Sequence, residues 1–191
     1  YTSEENILKL IKPLFMDELW NEFEQVKATP AQLDAFHDKI ASLKFLDPAC
    51  GCGNFLIITY RELRLLELEV LRMKINTAQR LLDVSSMLKV NVSQFYGIEY
   101  EEFPCQIAQV GMWLMDHQMN LLVADQFGTY YVRLPLKQSA TIVHDNALRI
   151  DWNKVVLTEE LSYIFGNPPF VGARIMSTEQ KADLRHVFGS V

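Results

Sequence analysis

The sequence predicts an α/β fold with a mostly parallel, three-layer sheet, and three observations carry that prediction. Short apolar runs at 43–46, 95–98, 141–143 and 163–165 alternate with longer segments of helical periodicity, the pattern that builds a parallel sheet. Asp47, Glu99, Asp145 and Asn167 each fall at or just beyond the end of one of those runs, and in such sheets ligands bind beyond the carboxyl ends of the strands. The 191 residues, 49% hydrophobic and 22% charged, suffice for the core of one domain and are too apolar for disorder.

The elements follow in order. The first forty residues read as helices: Ile7, Leu10 and Leu14 recur at spacings of three and four, and Thr2-Ser3-Glu4-Glu5 has the S/T-x-x-E form of a capping box. Pro30 stands where a second helix can begin, with Leu33, Phe36 and Ile40 on its buried face. Leu43–Leu46 reads as a strand, broken by Asp47-Pro48 and a glycine turn at Gly51 and Gly53. A long helix runs from about Asn54 to Lys74, with Leu63, Leu66, Val70 and Met73 as its stripe. Residues 76–92 read as a shorter helix and a connection, and Phe95–Ile98 as a second strand ending at Glu99. The next helix, roughly 103–122, carries Ala108, Met112, Met115, Met119 and Leu122 on one face. After a polar stretch come a third strand, Thr141–Val143, and a fourth, Tyr163–Phe165, which runs into Gly166-Asn167-Pro168-Pro169-Phe170.

Charge and cysteine content narrow the function. Lys+Arg total 18 against Asp+Glu 24, a net charge of -6, which argues against a self-contained domain held on DNA by a broad basic surface. A DNA enzyme whose basic surface lies elsewhere on a longer chain stays open. Three cysteines, two of them in Cys50-Gly51-Cys52, cannot form a disulfide framework and point to a reducing cytosol. No run approaches the roughly 18 uncharged residues of a membrane span, and no signal peptide opens the chain. A cytoplasmic protein without a membrane role is the expectation. Because the chain opens at Tyr1, directly in helical sequence, it reads as a piece of a longer protein.

Two segments point to chemistry. Asp47-Pro-Ala-Cys-Gly-Cys-Gly-Asn-Phe55 is a strand-to-helix turn whose glycines let backbone approach a ligand, with free N–H groups at the following helix. No Gly-Lys-Ser/Thr follows, and Asp47 at the entrance would repel phosphate; an acid there suits an ammonium group instead. A metal site is not expected, since Cys105 is the only other cysteine and no Cys/His pair stands at zinc spacing. Glu99 can accept from a ribose diol, though it lies 46 residues after Gly53 against about 20 in the usual dinucleotide fingerprint, and a plain surface carboxylate is the competing reading. Asp145 is equally open, because Asp-Asn commonly begins a turn. In Asn167-Pro168-Pro169-Phe170 the prolines hold the preceding residues extended and offer carbonyls without competing N–H donors. Asn167 Oδ1 and the Pro168 carbonyl can therefore converge on one –NH2 group, with Phe170 as a flat face beside it.

Taken together and in order, DPACGCGNF, GIEY, HDNAL and GNPPF resemble the amino-methyltransferases of DNA, class I S-adenosylmethionine-dependent enzymes, in their gamma arrangement. NPPF resembles the adenine-modifying form. The wider wording is similar to the methyltransferase domain of MmeI-like type II restriction-modification enzymes, over essentially the whole chain. The resemblance implies a Rossmann-like class I methyltransferase, truncated: a helical segment at 1–42 with a cofactor-capping motif, and a partial core at 43–191 without later strands or target-recognition domain. It implies S-adenosylmethionine as cofactor, held by Thr2, Ser3, Glu4 and Glu5 over the methionine end and by Asp47 at its ammonium. The loop of Ala49, Cys50, Gly51, Gly53, Asn54 and Phe55 would lie under the cofactor, and Glu99 would take the ribose. Ile98 or Tyr100 would stand against the adenine ring, and Asp145, Asn146 and Ala147 at its amino group. Asn167, Pro168, Pro169 and Phe170 would be the catalytic tetrad on a flipped adenine of double-stranded DNA. The partners implied are DNA, reached through the full-length parent, and the rest of that polypeptide: a target-recognition domain and, in a bifunctional parent, a nuclease. The competing readings are an N-methyltransferase for protein glutamine or an RNA base, and a fragment that binds cofactor without catalysis.

Overall fold

Four short strands lie side by side in parallel, and the order in which they do so creates the site. The computed structural model describes residues 2–75, 84–128, 139–172 and 174–189. Helix α1 (Glu4–Ile11), a π-helical turn (Lys12–Met16), α2 (Asp17–Val26) and α3 (Pro30–Ser42) precede strand β1 (Phe45–Asp47). Helix α4 (Asn54–Lys74) leads towards β2 (Phe95–Glu99), α5 (Glu102–Phe127) towards β3 (Thr141–His144), and α6 (Thr178–Phe188) follows β4 (Tyr163–Ile164). The sheet order is β3-β2-β1-β4, every neighbour pair parallel. The chain thus winds outward from β1 through β2 to β3, then returns to the far side of β1 with β4. At such a reversal the connections leave β1 and β4 in opposite directions and open a crevice at their carboxyl ends.

Alternation along the strands fills both faces. Phe95, Phe45 and Tyr163 are register partners on β2, β1 and β4, and their rings stack with centroids 5.0 and 5.5 Å apart. Phe15, wholly buried, closes that ladder 4.6 Å from Tyr163 and 5.4 Å from Phe45. Cutting Phe15 or Phe45 to alanine should cost about 3–5 kcal/mol. On the opposite face Leu46 and Ile98 pack with Val155 and Val156.

Several boundaries and faces differ from the sequence reading. Ile7, Ile11 and Phe15 form the buried stripe, while Leu10 and Leu14 are exposed. The apolar spacing permits either stripe; packing of α1 on α4 selects the first. Pro13, which has no N–H to donate, sits in the five-residue π turn that carries the chain into α2. The capping box at Thr2 does not form: Ser3 is the N-cap, without a side-chain hydrogen bond, and Glu5 pairs with Lys9 instead. Strand β1 begins two residues late, and α5 runs on to Phe127, where Gly128 at φ +64° ends it. Met73 stands exposed in the last turn of α4. Of the expected helix over 76–92, residues 76–83 lie outside the described residues, and Val84–Met87 and Val92–Gln94 are 3-10 turns. Helix α6 had no counterpart in the reading; Ser177 and Gln180 cap it reciprocally.

A buried polar network joins the helical layer. Arg64 on α4 donates to Tyr60 Oη (2.6 Å), Asp116 Oδ1 (3.2 Å) and Asn120 Oδ1 (3.0 Å), while Tyr60 Oη donates to Asp116 (2.6 Å). Arg64 Nε also lies 3.2 Å from Glu67 Oε2, an ion contact without hydrogen-bond geometry. Glu67 Oε1 accepts the Lys89 and Val90 N–H groups and faces His37 Nε2 at 2.9 Å. Lys74 approaches the other His37 nitrogen at 2.9 Å, so the imidazole accepts at Nδ1 and donates at Nε2.

Candidate functional site

The carboxyl ends of the four strands assemble the polar residues that the sequence spreads over 120 positions. Asp47 ends β1 and is 1% exposed. Its Oδ1 accepts the Ala49 N–H at 3.0 Å, and among the described residues no basic side chain pairs with it. Burial pushes the carboxyl up to about 7; the Ala49 hydrogen bond opposes this and nearby Glu99 adds to it. A buried acid poised in this way favours a cationic ligand group, which would restore its charge.

The loop after Asp47 is tied from both sides. Cys50 N–H donates to the Ile98 carbonyl (3.1 Å), and Gly51 N–H to Glu99 Oε2 (2.7 Å). Glu99 Oε1 accepts the Glu101 N–H at 2.9 Å. A carboxylate has about four acceptor positions, so Glu99 anchors the loop and still keeps lone pairs for a diol. Gly51 has φ +54°, and a Cβ there would meet nothing within 4 Å: the backbone is bare towards open space. Gly53, at φ +80°, packs so closely that a Cβ would fall 2.9 Å from that of Ala108 on α5. Asn54 opens α4, half-buried, whereas Phe55 turns inward against Phe165 (6.0 Å) and serves the core. Cys50 is buried, and burial pushes its thiol up, which suits packing rather than nucleophilic attack.

Along the sheet, Asp145 N–H donates to the Glu99 carbonyl (2.9 Å), continuing the β2–β3 ladder into the Asp145-Asn146 turn. Asp145 Oδ1 accepts the Asn146 N–H (2.7 Å), and the Ala147 carbonyl accepts from Trp152 Nε1 (2.8 Å). Ile98, one of two side chains suggested for an adenine face, is wholly buried; Tyr100 is exposed. The sequence reading missed Asp183: from α6 it accepts from Asn146 Nδ2 (2.9 Å) and Arg149 Nε (2.7 Å), tethering this turn. No local motif marks it, since the partners are over thirty residues apart.

At the reversal between β1 and β4 the two ends of the site meet. A Cβ on Gly166 would lie 2.4 Å from Asp47 Oδ1, so only glycine lets the chain pass the buried carboxyl at this distance. Asn167, Pro168, Pro169 and Phe170 follow directly, all exposed. Asn167 Nδ2 donates to Thr2 Oγ1 at 3.1 Å, across 165 positions. Ser3, Glu4 and Glu5 are exposed beside it, with Glu4 paired to Arg61 at 2.7 Å. The S-adenosylmethionine implied by the sequence resemblance would fit these residues: the buried acid suits an ammonium, Glu99 keeps free acceptor positions for a diol, and the backbone at Gly51 is bare. No helix among the described residues is long and apolar enough to cross a membrane.

Comparison with known proteins converges on one group. The family model described as the MmeI DNA-methyltransferase domain matches residues 23–191. DNA methyltransferase A of Bacillus subtilis (strain 168) is 40% identical over 194 residues, covering 100% of this chain and 22% of the relative. Among solved structures, the type IIL restriction-modification enzyme MmeI in complex with DNA superposes with a TM-score of 0.97 at 59% identity, over 100% of this chain and 26% of that one. The chain therefore spans about a quarter of the length of each of these two proteins.

Proposed function

The chain belongs to the MmeI DNA-methyltransferase domain family, and on that footing we propose that it is the cofactor-binding part of an adenine-N6 methyltransferase for duplex DNA in a restriction-modification enzyme. One observation supports the reading: at the β1/β4 reversal the buried Asp47 carboxyl lies against Gly166, the residue directly before the Asn167-Pro168 turn. A group donor held by its ammonium and an acceptor amine held by its hydrogens would meet there.

The residues divide the work. Asp47 would hold the methionine ammonium, Glu99 the ribose, Asp145 and Asn146 the adenine side, and Thr2 to Glu5 the cover, above the loop of Ala49, Cys50, Gly51, Gly53 and Asn54. When bound, S-adenosylmethionine supplies an electrophilic methyl on a sulfonium. The exocyclic amine of adenine is a poor nucleophile because its lone pair is delocalised into the ring. Asn167 Oδ1 and the Pro168 carbonyl accept its two hydrogens, favour a pyramidal nitrogen and aim the lone pair along the line of attack. S-adenosylmethionine would supply the methyl, its sulfur keeping the electron pair of the C–S bond, and the part of Asn167 and Pro168 would be to hold the amine while its surplus proton passes to solvent past these neutral acceptors. A duplex hides this amine, so the base is flipped out, and exposed Phe170 stacks on it. Phosphate contacts and target recognition fall to the rest of the polypeptide, which reconciles the net charge of -6 with a DNA substrate in the cytoplasm.

The test uses the full-length protein with S-adenosylmethionine and duplexes, RNA and glutamine peptides as acceptors. Transfer to adenine of duplex DNA is expected, and Asn167→Ala should lower it by about 10²–10³-fold without weakening cofactor binding. Wild-type turnover by that variant, or methyl found only on cytosine, RNA or protein, would overturn the assignment.

A further inference from the structure

Helix α6 is tied to the turn after β3 by charge rather than by burial. None of its described residues is buried, yet Asp183, its side chain 17% exposed, reaches that turn twice. Oδ2 accepts from Asn146 Nδ2 at 2.9 Å, and Oδ1 from Arg149 Nε at 2.7 Å. Arg149 first, then Asn146, hold the Asp183 carboxyl below the usual carboxylate range, so at neutral pH it is ionised and can only accept. The Asn146 amide is engaged at its other end too, because its Oδ1 accepts the Leu148 N–H at 2.9 Å. A backbone N–H only donates and a carboxylate only accepts. One orientation of this amide therefore satisfies both partners, and the flipped one satisfies neither.

The consequence reaches Asp145. The Asn146 N–H donates to Asp145 Oδ1 at 2.7 Å, so the residue held from α6 also sets the direction of the neighbouring carboxylate. One oxygen is turned into the loop, and the second oxygen of this exposed side chain is left to an outside donor. We propose that Asp183 is a positioning residue that, through Asn146, aims the Asp145 carboxylate at the amino group of the cofactor's adenine, so that helix α6 governs the choice between an amino and a carbonyl group at that ring position. This rests on the methyltransferase reading above, which gave Asp145 and Asn146 the adenine side and Asp183 no part. A carboxylate fixed in this direction rejects a carbonyl, since both only accept. Arg149, its side chain 41% exposed, adds an ion pair of the surface kind, worth little by itself.

The experiment is calorimetry on the full-length protein with S-adenosylhomocysteine and its deaminated analogue S-inosylhomocysteine, for wild type, Asp183→Ala and Arg149→Met. The wild type is expected to prefer the adenosyl compound by about 10- to 100-fold, the worth of a hydrogen bond to a charged group. In Asp183→Ala that preference should shrink by roughly threefold to tenfold as Asn146 loses its anchor. Arg149→Met removes the ion pair, keeps the Asn146 contact and should retain the preference. Lost stability alone would weaken both compounds together and leave their ratio, so the ratio is a readout that a merely structural role does not move. An unchanged ratio in Asp183→Ala, or an equal fall in Arg149→Met, would overturn the proposal. If the wild type binds both compounds equally, the assignment of Asp145 to the adenine fails before any variant is compared; if it binds neither, the cofactor reading itself fails.

Discussion

Helix α4 has an ionisable cluster at each end of its influence, and they are built on opposite principles. Within the helical layer Arg64, Glu67, Asp116 and Tyr60 are buried together, and their charges have opposite or hydrogen-bonding partners at close range. Before the helix, Asp47 is equally buried, but among the described residues only a backbone N–H answers it and a second acid, Glu99, stands near. A network closed on itself holds helices in place and offers a ligand nothing. An open one carries a cost that a cation can relieve, which is how a binding site differs from a staple made of the same residue types.

That contrast can be broken at several points. The largest effect is expected at the closed cluster: Arg64→Met leaves Glu67 and Asp116 buried without their cation and should lower unfolding free energy by about 3–5 kcal/mol, read from urea melts. A neutral result would mean that water already reaches the network. Gly166→Ala forces a methyl against Asp47 Oδ1; about 1–3 kcal/mol of destabilisation is expected, together with weaker cofactor binding in calorimetry. Asp47→Asn should separate binding from folding. The fold should be retained or gain stability at pH 8, whereas cofactor affinity falls by about 10- to 100-fold, the worth of one charged hydrogen bond.

The smallest effect is the dependence on pH. The folded Asp47 carboxyl, pushed up to about 7, holds its proton where the unfolded one has lost it. Its contribution to stability is therefore fully present below the ordinary carboxylate range and is lost as pH rises towards about 7. Relative to Asp47→Asn, the wild type should lose stability between about pH 4 and 7 and change little above that. Binding runs the other way: a ligand ammonium selects the ionised form, so cofactor affinity should rise roughly tenfold between pH 6 and 8 and then level off. Affinity flat across that range would show that Asp47 does not face the cation.

Much of the frame was legible because it is written locally. Strand β2 and helix α4 stand where apolar period and length place them, and the four motifs follow their strands because a turn must begin where a strand ends. Helix α6 escaped notice because its exposed faces leave no apolar stripe, and only its capping residues declare it. The stripe of α1 was misread for a related reason: spacing allows two faces, and only α4 decides between Leu10 and Ile11.

By itself the sequence determined the alternation of strands and helices, the acidic and asparagine-proline turns, and the family they resemble, all properties of short windows. Which turns become neighbours was decided only in three dimensions. The return of β4 to β1 sets Gly166 on Asp47, the docking of α1 carries Thr2 to Asn167, and α6 clamps Asn146 through Asp183. Each of these contacts joins residues more than thirty positions apart, where no periodicity reaches. Burial, which pushes the Asp47 carboxyl far above the range of an ordinary acid, is a property of everything packed around it.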